Sequence, residues 1–365
     1  MPAKVLAQAG LPGGRRTDFK RLAVEATQTG CRPTGLLYNG QNLLLCRRPS
    51  PDACLDKIEM PGYRNTYHKR ENEHMKKFSL VILAYLIMAG IGNGDERTIS
   101  SSDRADAEIR VMTFNIRCRT FMDGMNHWWF RRDHVAELVL RHDPDIIGMQ
   151  EVRNSQARDL ERMLPDYAWF GLPRGDGERR GERCSIFYRK DRFELIEHST
   201  FWLSETPEVP GSKSWGSACK RVVTWGKFRD KKSGRVLFHF NTHFDHVSIK
   251  ARRMSARLIV EKIGSIAGDI PAVVTGDFNT TDTSIPYQTM TSLLLDSRVI
   301  SQTPTAGPCG TSRGFGIDSQ PGRRIDYIFV SKGMSIKDYA VLEDTYKNGR
   351  RPSDHMPVIA DVTIP

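Results

Sequence analysis

The chain contains no apolar run of the roughly twenty residues that a membrane-spanning helix needs; its longest stops at about fourteen. Cysteine is sparse, seven in 365 residues, and no pair stands at metal-ligand spacing. A thiolate zinc site and a small disulfide-stapled scaffold are therefore both excluded. Cys31, Cys46 and Cys54 lie in the leader; Cys118, Cys184, Cys219 and Cys309 allow three pairings, or none. Internal repeats and low-complexity tracts are absent, which removes solenoids and fibres. Charge of one sign is also scarcer than the formal +11 implies. Residues 1–94 hold 14 of the 54 basic and 7 of the 43 acidic residues, leaving an excess of only 4 for residues 95–365. Composition alone gives no strong footprint for DNA or RNA.

Within the leader, Met75-Lys76-Lys77 precedes the apolar run, which ends in small residues around Gly92 and Gly94. That is the layout of a secretory signal over 75–94, with cleavage after Gly94 and export to the periplasm or beyond. Residues 1–74 read as an upstream extension outside the working protein. The alternative is a cytosolic tail on a membrane-anchored chain. Residues 95–107 read as a flexible lead-in, and 108–365 as one domain, expected to be monomeric and without stable membrane insertion.

The domain alternates short apolar runs with helical patterns, as α/β proteins do. Strands are expected at Ile109–Ile116, Asp145–Glu151, Tyr167–Phe170, Arg183–Tyr188, Phe193–Phe201, Arg221–Arg229, Arg235–Thr242, Ala272–Gly276, Arg323–Val330 and Ser335–Leu342. Helices are expected at Phe130–His142, Ser155–Leu164, Ile249–Ala267 and Pro286–Leu295, and a covering loop at Gln302–Gly322.

Chemistry-bearing residues recur at the ends of these strands. Asp277 and Asn279 follow the apolar run Ala272–Thr275 and can face one small volume, to orient a water or hold a hard cation; an Asx turn is the bland alternative. Asn115 is an amide near a strand end, and Glu151 a carboxylate at another. His243 and Asp245 share a face, suiting a metal, a proton relay or a phosphate, or merely a polar loop. Asp326 sits among apolar residues and so needs a partner. Ser353-Asp354-His355 precedes the last strand. Such hard oxygen donors suit Mg²⁺ or Mn²⁺ better than zinc, and imidazoles beside them suit phosphoryl chemistry.

Phe114-Asn115-Ile116, Gln150-Glu151-Val152, Thr242-His243, Gly276-Asp277-Phe278-Asn279, Arg324-Ile325-Asp326-Tyr327 and Ser353-Asp354-His355 together resemble, in order, the motifs of the endonuclease/exonuclease/phosphatase (deoxyribonuclease I-like) superfamily. The chain looks most like exported bacterial members with a deadenylase-like domain. The resemblance implies a four-layer α/β sandwich, two packed mixed sheets flanked by helices. It implies one Mg²⁺ (or Mn²⁺) site, with Glu151 as main ligand and Asn115 and Asp354 nearby. Asp277 would orient or deprotonate the attacking water, and Asn279 would hold the water or phosphate. His355 would contact the scissile phosphate with Asp326 fixing its ring. His243 would stabilise developing charge, with Glu182 as its acidic partner.

On this reading the protein is a metal-dependent phosphodiesterase, foremost a 3′–5′ exonuclease or other nuclease on RNA or DNA. The alternative is a phosphatase or sphingomyelinase-like phospholipase acting on sugar phosphates or lipid headgroups. A binding protein that kept the fold and lost catalysis is disfavoured, because each motif position holds the residue type catalysis needs. No long basic insertion grips a duplex. Arg174–Arg183, Lys220-Arg221 and Lys250–Arg253 offer a phosphate-binding rim, and Trp202, Trp215 and Trp225 either stacking surfaces or core.

Overall fold

A computed structural model describes residues 36–39, 42–45, 107–316 and 322–365. The signal over 75–94 and the lead-in to residue 106 lie outside the described residues. Two units are distinguished, 1–94 and 95–365. In the first, β1 (Leu36–Asn39) and β2 (Asn42–Leu45) form an antiparallel hairpin.

The second unit is built from two six-stranded mixed sheets. One runs β13 (Ser335–Val341), β14 (Val358–Thr363), β3 (Glu108–Asn115), β4 (Ile146–Val152), β6 (Arg183–Arg189), β5 (Tyr167–Phe170). The other runs β11 (Leu294–Asp296), β12 (Asp326–Ser331), β10 (Ala272–Asp277), β9 (Val236–His243), β8 (Val222–Asp230), β7 (Phe193–Trp202). Each sheet has one parallel pair, β3 with β4 and β9 with β10. Helix α1 (Trp128–His142) makes the first crossover and α3 (Ile249–Ala267) the second. A parallel pair needs such a crossover, which brings the two strands to an end at the same rim.

Period-two alternation explains the layers. Ile109 and Val111 of β3 meet Val273 of β10 and Ile328 of β12 between the sheets. Their neighbours Met112 and Phe114 point the other way, onto Trp128, Val135 and Leu138 of α1 and Leu160 of α2 (Asn154–Met163). On the far side Ala272 and Val274 face Ala256, Ile259 and Ile263 of α3 and Met290 of α4 (Ile285–Leu293). The result is helix, sheet, sheet, helix. The four-layer α/β sandwich expected from the sequence is the observed fold.

Local signals set the helix ends. Ser248 Oγ accepts from the Ala251 amide at 3.1 Å to start α3, and Gly268 follows its last turn with a φ of 56°. Some expected boundaries move. Helix α1 starts at Trp128 rather than Phe130, because His127 Nδ1 accepts from the Trp129 amide. The helix expected to reach Leu295 stops at Leu293, where the chain turns extended to pair with β12. The strand expected from Arg323 begins at Asp326, since Arg324 is drawn to Asp296 by bonds of 2.7 and 3.1 Å. In the covering loop, bridges join Ser301 and Ala306 to β13 and Ser312 to His355. Cys118, Cys184, Cys219 and Cys309 are all free thiols.

Candidate active site

Beneath the rim, the sheets are joined by amides instead of hydrocarbon. Gln150 Nε2 donates to Thr113 Oγ1, to the Gly148 carbonyl and to Asn241 Oδ1 at 2.8–3.0 Å. Asn241 Nδ2 returns bonds of 2.9 Å to the Met149 and Ser185 carbonyls. This buried network, in which only Gln150 Oε1 among its amide atoms lacks a partner, fixes one arrangement of the sheets. It also demands glycine at position 148, where a Cβ would stand 1.9 Å from Thr275 Oγ1.

Above this layer the strand ends converge. Register alone sets His243 and Asp326 on either side of Asp277. Asp277 is 1 % exposed, and its Oδ1 accepts from the Asn279 amide at 2.9 Å. The Asx turn is thus real and coexists with a site, because Oδ2 stays free to accept from Asn115 Nδ2 at 3.0 Å. Asn279 takes a φ of 47°, a left-handed conformation that asparagine tolerates. Its Nδ2 reaches His243 Nε2 and the Phe244 carbonyl, each at 3.1 Å.

Glu151 holds a φ of 63° at the register shift between Met149 and Val152. A bulge there breaks the alternation that would carry the side chain to the other face. Its carboxylate accepts from the Cys118 amide at 2.8 Å and from Asn115 Nδ2 at 3.2 Å. Burial opposes its ionisation, but these bonds outweigh burial and hold its pKa below the usual carboxylate value. Burial raises the Asp354 pKa, and the adjacent Glu151 charge adds to this against the pull of His355. Arg117 lies 3.5 Å from Asp354.

His355 Nδ1 sits 2.9 Å from Asp326 Oδ2, and Nε2 3.8 Å from Asp277 Oδ2. Burial alone would lower this histidine's pKa. Asp326 and then Asp277 outweigh it and hold the pKa well above the ordinary value. Thr311 Oγ1 donates to the same Asp326 oxygen at 2.6 Å; nothing in the sequence around Thr311 marks it for this role. Burial and the Asp326 charge push Asp277 up to about 7, with His355 opposing. Burial, helped by Arg221 and Arg174, keeps His243 neutral, well below its ordinary value.

Glu182 sits differently from the expected histidine partner. It lines the same recess as His243, but its carboxylate pairs with Arg174 at 3.0 Å and Arg153 at 4.0 Å. His243 Nδ1 has no hydrogen-bond partner. Arg221, 5 % exposed and beside it, leaves Nε and Nη1 without hydrogen bonds. Arg221 was legible only as part of a basic rim. Trp202 and Trp225 are core, and Trp215 packs half-buried against it.

Two groupings can be weighed as cation sites. Ligand atoms of Asp277, Asp326 and His355 lie within 4.8 Å of one another. A histidine held protonated between two carboxylates has no lone pair for a metal, however. Glu151, Asn115 and Asp354 supply hard oxygens and two neighbouring acids with Arg117 to one side, a donor set that fits Mg²⁺ or Mn²⁺.

Carboxylates, a charged and a neutral imidazole, and unspent guanidinium donors at one sheet rim form a phosphate-ester site. Residues 112–355 match the Endonuclease/Exonuclease/phosphatase family. The chain belongs to that family. An endonuclease/exonuclease/phosphatase family protein from Bacteroides thetaiotaomicron is 38% identical, with a TM-score of 0.68 over 71% of this chain and 98% of that one. A mannosyl-6-phosphatase from the same organism is also 38% identical, with a TM-score of 0.67 over 70% of this chain and 100% of that one. Nocturnin of Drosophila melanogaster is 26% identical over 54% of this chain, a match that spans only 33% of Nocturnin. As a member of the family, the chain is a hydrolase of phosphoester bonds.

Proposed function

We propose that this enzyme is an exported, divalent-metal-dependent phosphatase of small phosphorylated sugars. The observation that carries the reading is the cluster of Arg174, Glu182, Arg221 and His243 beside the catalytic rim, which encloses only about 10 Å³ and so acts on the rim rather than taking the phosphate into itself. Arg221 Nε and Nη1 and His243 Nδ1 make no hydrogen bond but are buried, with Asp245 3.9 Å from Arg221 Nε, so what they lend the rim is positive potential, which suits the charge of a phosphomonoester dianion. The nearly neutral domain and the 38% identity to a mannosyl-6-phosphatase along that protein's whole length support it. The nuclease reading draws on the Nocturnin match, which is weaker and partial.

Glu151, Asp354 and Asn115 would hold a hard divalent cation, whose chemistry is to withdraw charge from phosphoryl oxygens. Asp277, titrating near neutrality, takes the proton of the attacking water while Asn279 orients it. Charged His355, fixed by Asp326, donates to a phosphoryl oxygen as charge builds. Neutral His243 and Arg221 complete the cradle.

The test is selectivity. Full-length protein should hydrolyse mannose 6-phosphate or glucose 6-phosphate with a kcat/KM at least about a hundredfold above that for bis(p-nitrophenyl) phosphate or single-stranded RNA. A preference for RNA would restore the nuclease. Export is checked separately: N-terminal sequencing of the native protein should find a first residue near Asp95.

A further inference from the structure

A second cavity of about 510 Å³ lies between the N-terminal half of α1 and the length of α2, lined by Arg119, Trp129, Arg132, Ser155, Asp159 and Arg162 among others. It shares no residue with the catalytic set. Both its walls nonetheless hang from the strands that carry the site: Arg119 is four residues past Asn115, and Ser155 four past Glu151. Gln156, fully buried, clamps them together by accepting from the Arg119 amide at 2.8 Å and donating to the Arg117 carbonyl at 2.9 Å. The neighbouring amide, of Cys118, is the one that holds Glu151.

The chemistry of this cavity is specific. Trp129 is 62 % exposed, and Arg132 stacks on one face at 4.0 Å, which leaves the other for a flat ring. Arg119 has no carboxylate within ion-pair distance among the described residues. Arg132 pairs with Asp133 at 3.4 Å and, at 3.9 Å, with the Asp159 that Arg162 also holds, so three arginines face two carboxylates and the wall keeps a small positive excess. Phe121, Met122, Met125 and Phe130, on the segment that leads into and starts α1, are also at least half exposed, although of the exposed large apolar residues only Trp129 lines the cavity itself.

We propose that this cavity binds the non-reacting end of the substrate, as a ring that stacks on Trp129 and bears a second anionic group held by Arg119 and Arg132. The inference rests on the phosphoesterase reading for its kinetic test, and on direct binding otherwise. A sugar bisphosphate and a nucleoside bisphosphate both have this chemistry. Binding energy collected here, remote from the scissile bond, would set substrate choice.

Full-length protein with Mg²⁺ is assayed on glucose 6-phosphate against glucose 1,6-bisphosphate, and on AMP against adenosine 3′,5′-bisphosphate. In at least one pair the bisphosphate should be favoured by about tenfold or more in kcat/KM, the worth of one charge-assisted contact. Arg132→Met should remove most of that preference, and Trp129→Ala should weaken both members of the favoured pair about equally, each through KM rather than kcat. The pair showing it identifies the ring. Calorimetry on Asp277→Ala in EDTA reads the same bisphosphates without turnover, and binding there should be lost on adding Arg132→Met. Inactivity with binding intact would sink the phosphoesterase reading alone. Equal kcat/KM within both pairs, with no metal-free binding, overturns the inference. So does binding to phosphatidylglycerol vesicles that Trp129→Ala abolishes while neither bisphosphate binds, since the surface would then serve a membrane.

Discussion

Replacing Asp326 by asparagine isolates the charge that holds His355. The amide keeps one oxygen, in place of the single carboxylate oxygen that His355 Nδ1 at 2.9 Å and the Thr311 hydroxyl at 2.6 Å now share. Volume and tautomer are preserved and one negative charge is lost. At an effective dielectric of about 20, a unit charge about 4 Å away is worth about 4 kcal/mol, or about three pKa units at most. Asp277 remains to retain part of the elevation. The His355 pKa should therefore fall, and the basic limb of the kcat–pH profile should move to lower pH. The sign follows from the geometry: a raised histidine pKa means the charged form is stabilised, and removing the stabilising anion returns the group toward neutrality. Between the lowered and the original pKa the contact to the phosphoryl group changes from charged to neutral, a loss of about 2 kcal/mol and about thirtyfold in kcat. Phosphate release across pH 5–9, beside thermal melting to verify the fold, reads both effects. A basic limb that stays in place with kcat within threefold of wild type would refute the assignment of Asp326 as the anchor of a charged His355.

Asp277→Ala should lower kcat by at least about a thousandfold, since the base is lost with its water. In the wild type the acidic limb should fall near pH 7, because burial and Asp326 raise the Asp277 pKa to about 7 and activity requires its ionised form. Glu151→Gln should raise the Mg²⁺ concentration for half-maximal activity by about tenfold or more, and should remove the melting-temperature increase that Mg²⁺ gives the wild type. Gly148→Ala should destabilise by about 2 kcal/mol or more in urea unfolding, because its Cβ would stand 1.9 Å from Thr275 Oγ1 and 2.6 Å from Asn241 Oδ1.

The strands were legible as short apolar runs with polar residues at their ends, while the four-layer arrangement followed from the family resemblance of the motifs at those ends. Asp277 ends β10, Asn115 ends β3 and His243 ends β9. The parallel pairs emerged only with the structure, each joining strands separated by one strong helix. Contacts across long separations were not legible from periodicity. The Asn115–Asp277 bond spans 162 residues. Glu151 owes its aim to a left-handed backbone within an apolar strand, which alternation cannot announce. Glu182 went to Arg174 because the guanidinium is a stronger partner than a buried, neutral imidazole. The three-residue β11 is too short for any periodic signal. The aromatic stretch beginning at Phe121 reads as apolar in sequence, and only the fold shows it left in water.

The central claim is a phosphoester-cleaving site whose metal end is Glu151 and whose base is Asp277. Inorganic phosphate release from mannose 6-phosphate by the full-length protein tests it most directly, in Mg²⁺, in EDTA, and in Mg²⁺ with Asp277→Ala. The account predicts turnover in the first and its loss in the other two. Turnover that survives EDTA, or that Asp277→Ala leaves near the wild-type rate, would contradict it.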